Sequence, residues 1–173
     1  MLLIKRARVP AAVLPAEVAV PAPDPVDPSV LCDIAVDGAA ITSVARSEPG
    51  TSAPGPGGSL DLEGSVVFPG FVDAHVHLDK THTWDRAPNR SGTFAEALET
   101  LGRDKANWTR ADLLRRAGFG LQCAWEHGTR VIRTHVDTWL PWGEENHATM
   151  QELRELWRGR IVLQTVPLTG IAD

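Results

Sequence analysis

From Val72 to Asp79 the chain alternates strictly. Val72, Ala74, Val76 and Leu78 fall on one face of an extended segment, and Asp73, His75, His77 and Asp79 fall on the other. Phe71 to Val76 therefore reads as a strand with one wholly apolar face. Upstream, Met1 to Val9 reads as a first strand. The run from Val9 to Pro28 carries Pro10, Pro15, Pro21, Pro23, Pro25 and Pro28. Each proline lacks a backbone donor, so this run is expected to be an extended, mobile surface loop. Asp33 to Val44 places two apolar-rich runs around Asp37-Gly38, the signal of a hairpin with a tight turn. Pro49 to Gly58 is a second loop, and Ser59 to Val67 resumes as strand.

Downstream the period changes. Thr93-Phe94-Ala95-Glu96 fits a capping box opening a helix that ends near Gly102. Thr109 opens a second helix with Leu113, Leu114, Ala117, Leu121 and Ala124 at helical spacing, and Gly128 is its stop. Val131 to Val136 follows as a strand, with Arg133, His135 and Asp137 on one side. A helix from Ala148 to Arg158 and a strand from Ile161 to Val166 come last. Strand-helix-strand order implies an α/β class with a parallel sheet and right-handed crossovers.

Composition narrows the classes. A hydrophobic fraction of 43% over 173 residues is enough for a core. A net charge of −5, with scattered basic residues, argues against nucleic acid as a partner. Arg115-Arg116, the densest basic spot, reads as a solvated helix face. Cys32 and Cys123 stand far apart and read as ordinary thiols of a reducing compartment. No apolar run approaches the roughly 20 residues that cross a bilayer. Met1-Leu2-Leu3-Ile4-Lys5-Arg6 is apolar before it is basic, the reverse of a secretory signal. The expected location is the cytoplasm, with no membrane partner.

Burying two imidazoles and two carboxylates in one row is costly unless they find partners. A divalent metal, zinc or iron, would relieve that cost, with His75 and His77 as ligands. A lone His-x-His also occurs on exposed strands that hold nothing.

Three motifs extend the pattern. Pro69 to His77 reads Pro-Gly-Phe-Val-Asp-Ala-His-Val-His and continues as Leu78-Asp79-Lys80-Thr81; Asn89-Arg90-Ser91-Gly92-Thr93-Phe94 and Arg133-Thr134-His135-Val136-Asp137 follow. Over roughly residues 60 to 170 the chain resembles the amidohydrolase superfamily, most of all its cytosine deaminase-like branch. The resemblance implies the N-terminal part of a metal-dependent-hydrolase (β/α)8 TIM barrel, about three strand-helix units over 69–173. Part of a small β-sandwich over 1–68 would precede it. It implies metal-dependent deamination of a small nitrogen heterocycle, with His75 and His77 on the metal.

A closed barrel takes roughly 250 residues. In the family, later strands bring a third metal histidine, a proton-transferring glutamate, another histidine and a metal-binding aspartate. None of those strands lies in this sequence, so the catalytic residue is unknown. Phe94 and His135 are the candidate substrate contacts, with His135 hydrogen-bonded to Asp137 or serving as a makeshift third ligand. Asp79 is expected either to orient a ligating imidazole or to cap a loop. Leu168 stands where cytosine deaminases carry a glutamine that reads the base edge, which argues against cytosine as substrate. The rival expectation is an inactive, truncated remnant that at most binds metal, or one that needs a complementary C-terminal chain. A homo-oligomer is a further possibility.

Overall fold

The computed structural model describes residues 1–15, 18, 24, 26–50 and 57–169. They form two compact units, Met1–Pro69 and Gly70–Asp173.

In the first unit, β1 (Leu2–Pro10) pairs antiparallel with β2 (Ser29–Asp37) and parallel with β4 (Ser59–Asp61). β3 (Ala40–Arg46) completes a four-stranded sheet of order β3-β2-β1-β4. The β2–β3 hairpin turns at Asp37-Gly38, where Gly38 takes φ +57°, a conformation open to glycine at little cost. Ala7, Val9, Val30, Cys32 and Ile34 bury one face of this sheet. In the proline-rich run, Ala11–Val13 forms a short 3-10 turn. Most of Ala16 to Pro25, and residues 51–56 of the second loop, lie outside the described residues. Cys32 and Cys123 are both free thiols.

The second unit is built on three parallel strands in the order β5 (Phe71–Val76), β6 (Thr129–Asp137), β7 (Val162–Leu168). Three helices connect them: α1 (Phe94–Asp104), α2 (Arg110–Glu126) and α3 (Gly143–Leu156). Ile132 and Val136 of β6 and Leu163 of β7 point into a core with Leu113, Ala117 and Leu121 of α2 and Met150 and Leu153 of α3. Each such side chain contributes roughly 1.5–3 kcal/mol on burial. Among the described residues no helix is long and apolar enough to cross a membrane.

The helix starts follow their caps. Thr93 Oγ1 accepts from Glu96 N at 3.3 Å, and Thr109 Oγ1 accepts from Asp112 N at 3.2 Å. The Glu96 carboxylate does not close the box on Thr93; it turns to Ser91 N at 2.6 Å. α2 stops as expected at Gly128, φ +86°. α3 begins five residues before the expected Ala148, through the polar run Gly143-Glu144-Glu145-Asn146-His147. Glu144 and Glu145 suit the positive end of a helix dipole. Gly143 is required there, because a Cβ would lie 2.1 Å from the Thr138 carbonyl oxygen.

Candidate functional site

The β5–β6 ladder ends at the Val76–Thr134 pair, so His75 lies on the strand and His77 just past it. His77 (φ −119°, ψ 84°) leads into a 3-10 turn over Leu78–Lys80. Its Nδ1 lies 2.9 Å from the His135 carbonyl oxygen. A carbonyl can only accept, so Nδ1 carries the proton and the neutral ring's Nε2 carries the lone pair. His75 Nε2 faces His77 Nε2 at 3.3 Å.

That spacing is informative. Two nitrogens each 2.0–2.1 Å from a tetrahedral zinc stand about 3.3–3.4 Å apart. The two Nε2 atoms thus already have the separation that a shared cation requires. Without one, His75 Nε2 must donate a proton to His77 Nε2. Burial lowers the pKa of His77, and the nearby Lys80 ammonium lowers it further, which favours the neutral ring that ligates metal. Among the described residues no three His, Cys, Asp or Glu side chains assemble as a metal-holding group. The two imidazoles stand as a pair.

His135 does not extend the pair. Its ring stacks on that of His75, centroids 4.0 Å apart and planes at 22°, while its centroid lies 5.8 Å from that of His77. Nor does it bond to Asp137. The Asp137 carboxylate lies 2.8 Å from both Lys80 Nζ and Lys105 Nζ, which draw it away from the imidazoles. Burial lowers the pKa of His135, and the neighbouring imidazoles lower it further. Phe94, the first residue of α1, is 79% exposed and takes no part in the core. Leu168 ends β7, where its carbonyl accepts from Thr138. His82 and His127 are exposed, whereas His147 is half-buried beside Gln151.

Asp79 neither orients an imidazole nor caps its own turn. It is fully buried, and its Oδ2 accepts from Asp137 N at 2.8 Å, closing the end of β6. Its Oδ1 has no partner. Burial raises its pKa to about 6. Between about pH 4 and 6 the folded protein therefore keeps a proton that the unfolded chain has released, and stability falls as pH rises through that window. Asp79→Asn is expected to abolish this slope, worth up to about 1.4 kcal/mol per pH unit. Urea midpoints at pH 4.5 and 7 for both proteins check it.

Two residues bear on the site that the sequence reading does not place there. Lys105 is not named by it at all. Arg116, expected with Arg115 on a solvated helix face, is instead 1% exposed, and only Arg115 is solvated. Arg116 lies among Leu113, Ala117 and Leu121, the apolar face of α2, and a charge on that face is the signal that could have found it.

Residues 59–163 match the amidohydrolase family. The chain belongs to the amidohydrolase family. Over 121 residues it is 40% identical to a pterin deaminase of Rhizobium rhizogenes, covering 69% of this chain and 28% of that protein. It also superposes on the 5-methylcytosine deaminase from Klebsiella pneumoniae, with a TM-score of 0.74, 24% identity, and coverage of 95% of this chain and 36% of that one. Against N-isopropylammelide isopropylaminohydrolase from Burkholderia multivorans the TM-score is 0.65 and the identity 27%, over 96% of this chain and 37% of that one. The chain thus spans about a third of these relatives' lengths, and its mixed α/β fold is that of part of an amidohydrolase. The amidohydrolase resemblance read from its motifs stands.

Proposed function

We propose that this protein is a metal-dependent deaminase of a small nitrogen heterocycle, with His75 and His77 as two of the metal's ligands. The observation that carries this reading is the Nε2–Nε2 separation of 3.3 Å, together with a His77 tautomer set by the His135 carbonyl. The metal, zinc or iron, would act as a Lewis acid and lower the pKa of water to about 7. His77 holds its proton on Nδ1, away from the reacting side, and His75 would free Nε2 for a metal by carrying its single ring proton on Nδ1 instead, exchanged through solvent, so that both rings stay neutral. His135, stacked on His75, and Phe94, at the start of the helix after the first barrel strand, are the proposed substrate contacts, on the barrel face where substrates bind. By the family resemblance, the glutamate that moves protons lies on a later strand, beyond these residues. Residues 1–68 would belong to the sandwich portion and 69–173 to the barrel.

The pterin deaminase relative makes a pterin the first substrate to try, and Leu168 in the glutamine's place argues against cytosine. The test is ammonia release by the protein joined to later strands that supply the glutamate, whether in one chain or as a complementary chain, and loaded with zinc or with iron(II). The expected result is pterin turnover at least roughly a million-fold above the uncatalysed rate, with cytosine far slower. No ammonia from pterin, cytosine or an aminotriazine with either metal would refute the reading.

A further inference from the structure

His77 lies beyond the last β5–β6 ladder pair, so strand hydrogen bonds do not set the backbone that leaves it. Side chains do so instead. Leu78 N donates to Thr134 Oγ1 at 3.0 Å, and Asp79 Oδ2 accepts from Asp137 N. From the other side, Arg116 Nη1 on α2 donates to the carbonyls of Asp79 at 2.9 Å and Thr81 at 2.7 Å. These two carbonyls bracket Lys80, the residue whose charge reaches His77. Arg116 is in turn oriented by Asp112 Oδ2, which accepts from its Nε at 2.8 Å. Its guanidinium also lies over the Trp108 ring, 5.7 Å from the centroid.

A guanidinium is expensive to bury, and a well-packed apolar side chain at that helix position would stabilise α2 at least as well. What an apolar side chain cannot supply is a planar, always-charged donor whose Nη1 reaches the carbonyls of Asp79 and Thr81 at once.

We propose that Arg116 is a positioning residue for His77. By clasping the carbonyls on either side of Lys80, it fixes the direction in which the turn departs and so the placement of the His77 ring against His135 O and His75 Nε2. The proposal rests on His75 and His77 being metal ligands, but its test does not depend on that alone.

The test compares Arg116→Met with Leu153→Ala, a core truncation on α3 that leaves the turn untouched, with Arg116→Lys as the conservative variant. Two quantities are read on the native protein. One is the NMR signal of the His77 Nδ1 proton without metal, assigned by its loss in His77→Gln. The other is zinc affinity by chelator competition. Arg116→Met is expected to shift or abolish the His77 signal and weaken zinc by about 10–100-fold, the usual effect of losing a group that orients a ligand. Leu153→Ala should leave both unchanged despite a lower melting temperature. Arg116→Lys, which keeps a donor for the carbonyls, should fall between, and it carries the comparison if the methionine variant does not fold. If the Arg116 variants keep the wild-type signal and affinity, or change no more than Leu153→Ala, the positioning role is wrong. If the wild type takes up no zinc, the metal reading falls, and the NMR comparison still decides the role of Arg116.

Discussion

Asp112→Ala is expected to cost about 3–5 kcal/mol of stability, the range for removing one partner of a buried ion pair. Asp112 is the hub of a charge network under the turn that follows β5. Its two oxygens take Arg86 at 2.8 Å each, Arg115 at 2.8 Å and Arg116 at 2.8 Å. Arg86 also reaches Asp104, which accepts from Trp108 Nε1 at 2.8 Å. The Asp112 side chain is 10% exposed and that of Arg116 1%, so water screens little of the charge left behind. Hydrogen bonds from Arg86, opposed by burial and reinforced by Arg116, hold the Asp112 carboxyl well below the usual carboxylate range. A depressed folded pKa gives stability that is present above about pH 4, the unfolded value, and is lost as pH falls through the folded one. Asp112→Ala should therefore flatten the acid limb of the stability profile as well as lower its plateau. Removing both charges, in Asp112→Leu with Arg116→Met, should cost less than Asp112→Ala alone, since no unpaired guanidinium remains buried. Urea denaturation across pH measures both. A loss below about 1 kcal/mol for Asp112→Ala would mean that the network is solvated, because surface pairs are worth no more than that.

How much of this was legible depended on range. The strand holding His75 and the helix holding Leu113, Ala117 and Leu121 were legible because their periods of two and 3.6 are local. The cap at Thr109 and the stop at Gly128 are local as well. The start of α3 was not legible: Glu144 to His147 show no apolar spacing, and the helix is set there by Gly143 against the Thr138 carbonyl and by Asn146 Nδ2 donating to Asp137 O at 3.1 Å. Arg116 was read with its chain neighbour Arg115, although on a helix its true neighbours are Asp112, Leu113 and Ala117. In the site, alternation put His75 and His77 on one face. It could not show that the strand ends at Val76, that the His135 backbone rather than its ring orients His77, or that Lys80 and Lys105 take Asp137 away from His135. Each of those facts is a contact between residues far apart in the chain.

Replacing His75 and His77 together with alanine is expected to abolish stoichiometric metal uptake, and each single change to weaken it by more than the roughly 100-fold that outer partners can cost. The physical reason is that a neutral imidazole supplies the bond itself, whereas Arg116 or the His135 carbonyl only aims it. The pH dependence separates this site from adventitious binding by surface histidines. Protons compete with the metal for Nε2, and an ordinary imidazole loses that competition as pH falls below about 6.5. At His77 burial and the Lys80 charge lower the pKa, so its Nε2 stays available to lower pH. Zinc that depends on His77 should therefore persist into more acidic buffer than zinc held by an imidazole of ordinary pKa. Lys80→Met, which removes the like charge beside His77, should move that release back toward neutral pH. Metal content measured after dialysis at a series of pH values reads all of these variants. Equal zinc in the wild type and the double alanine variant at every pH would remove both residues from the site.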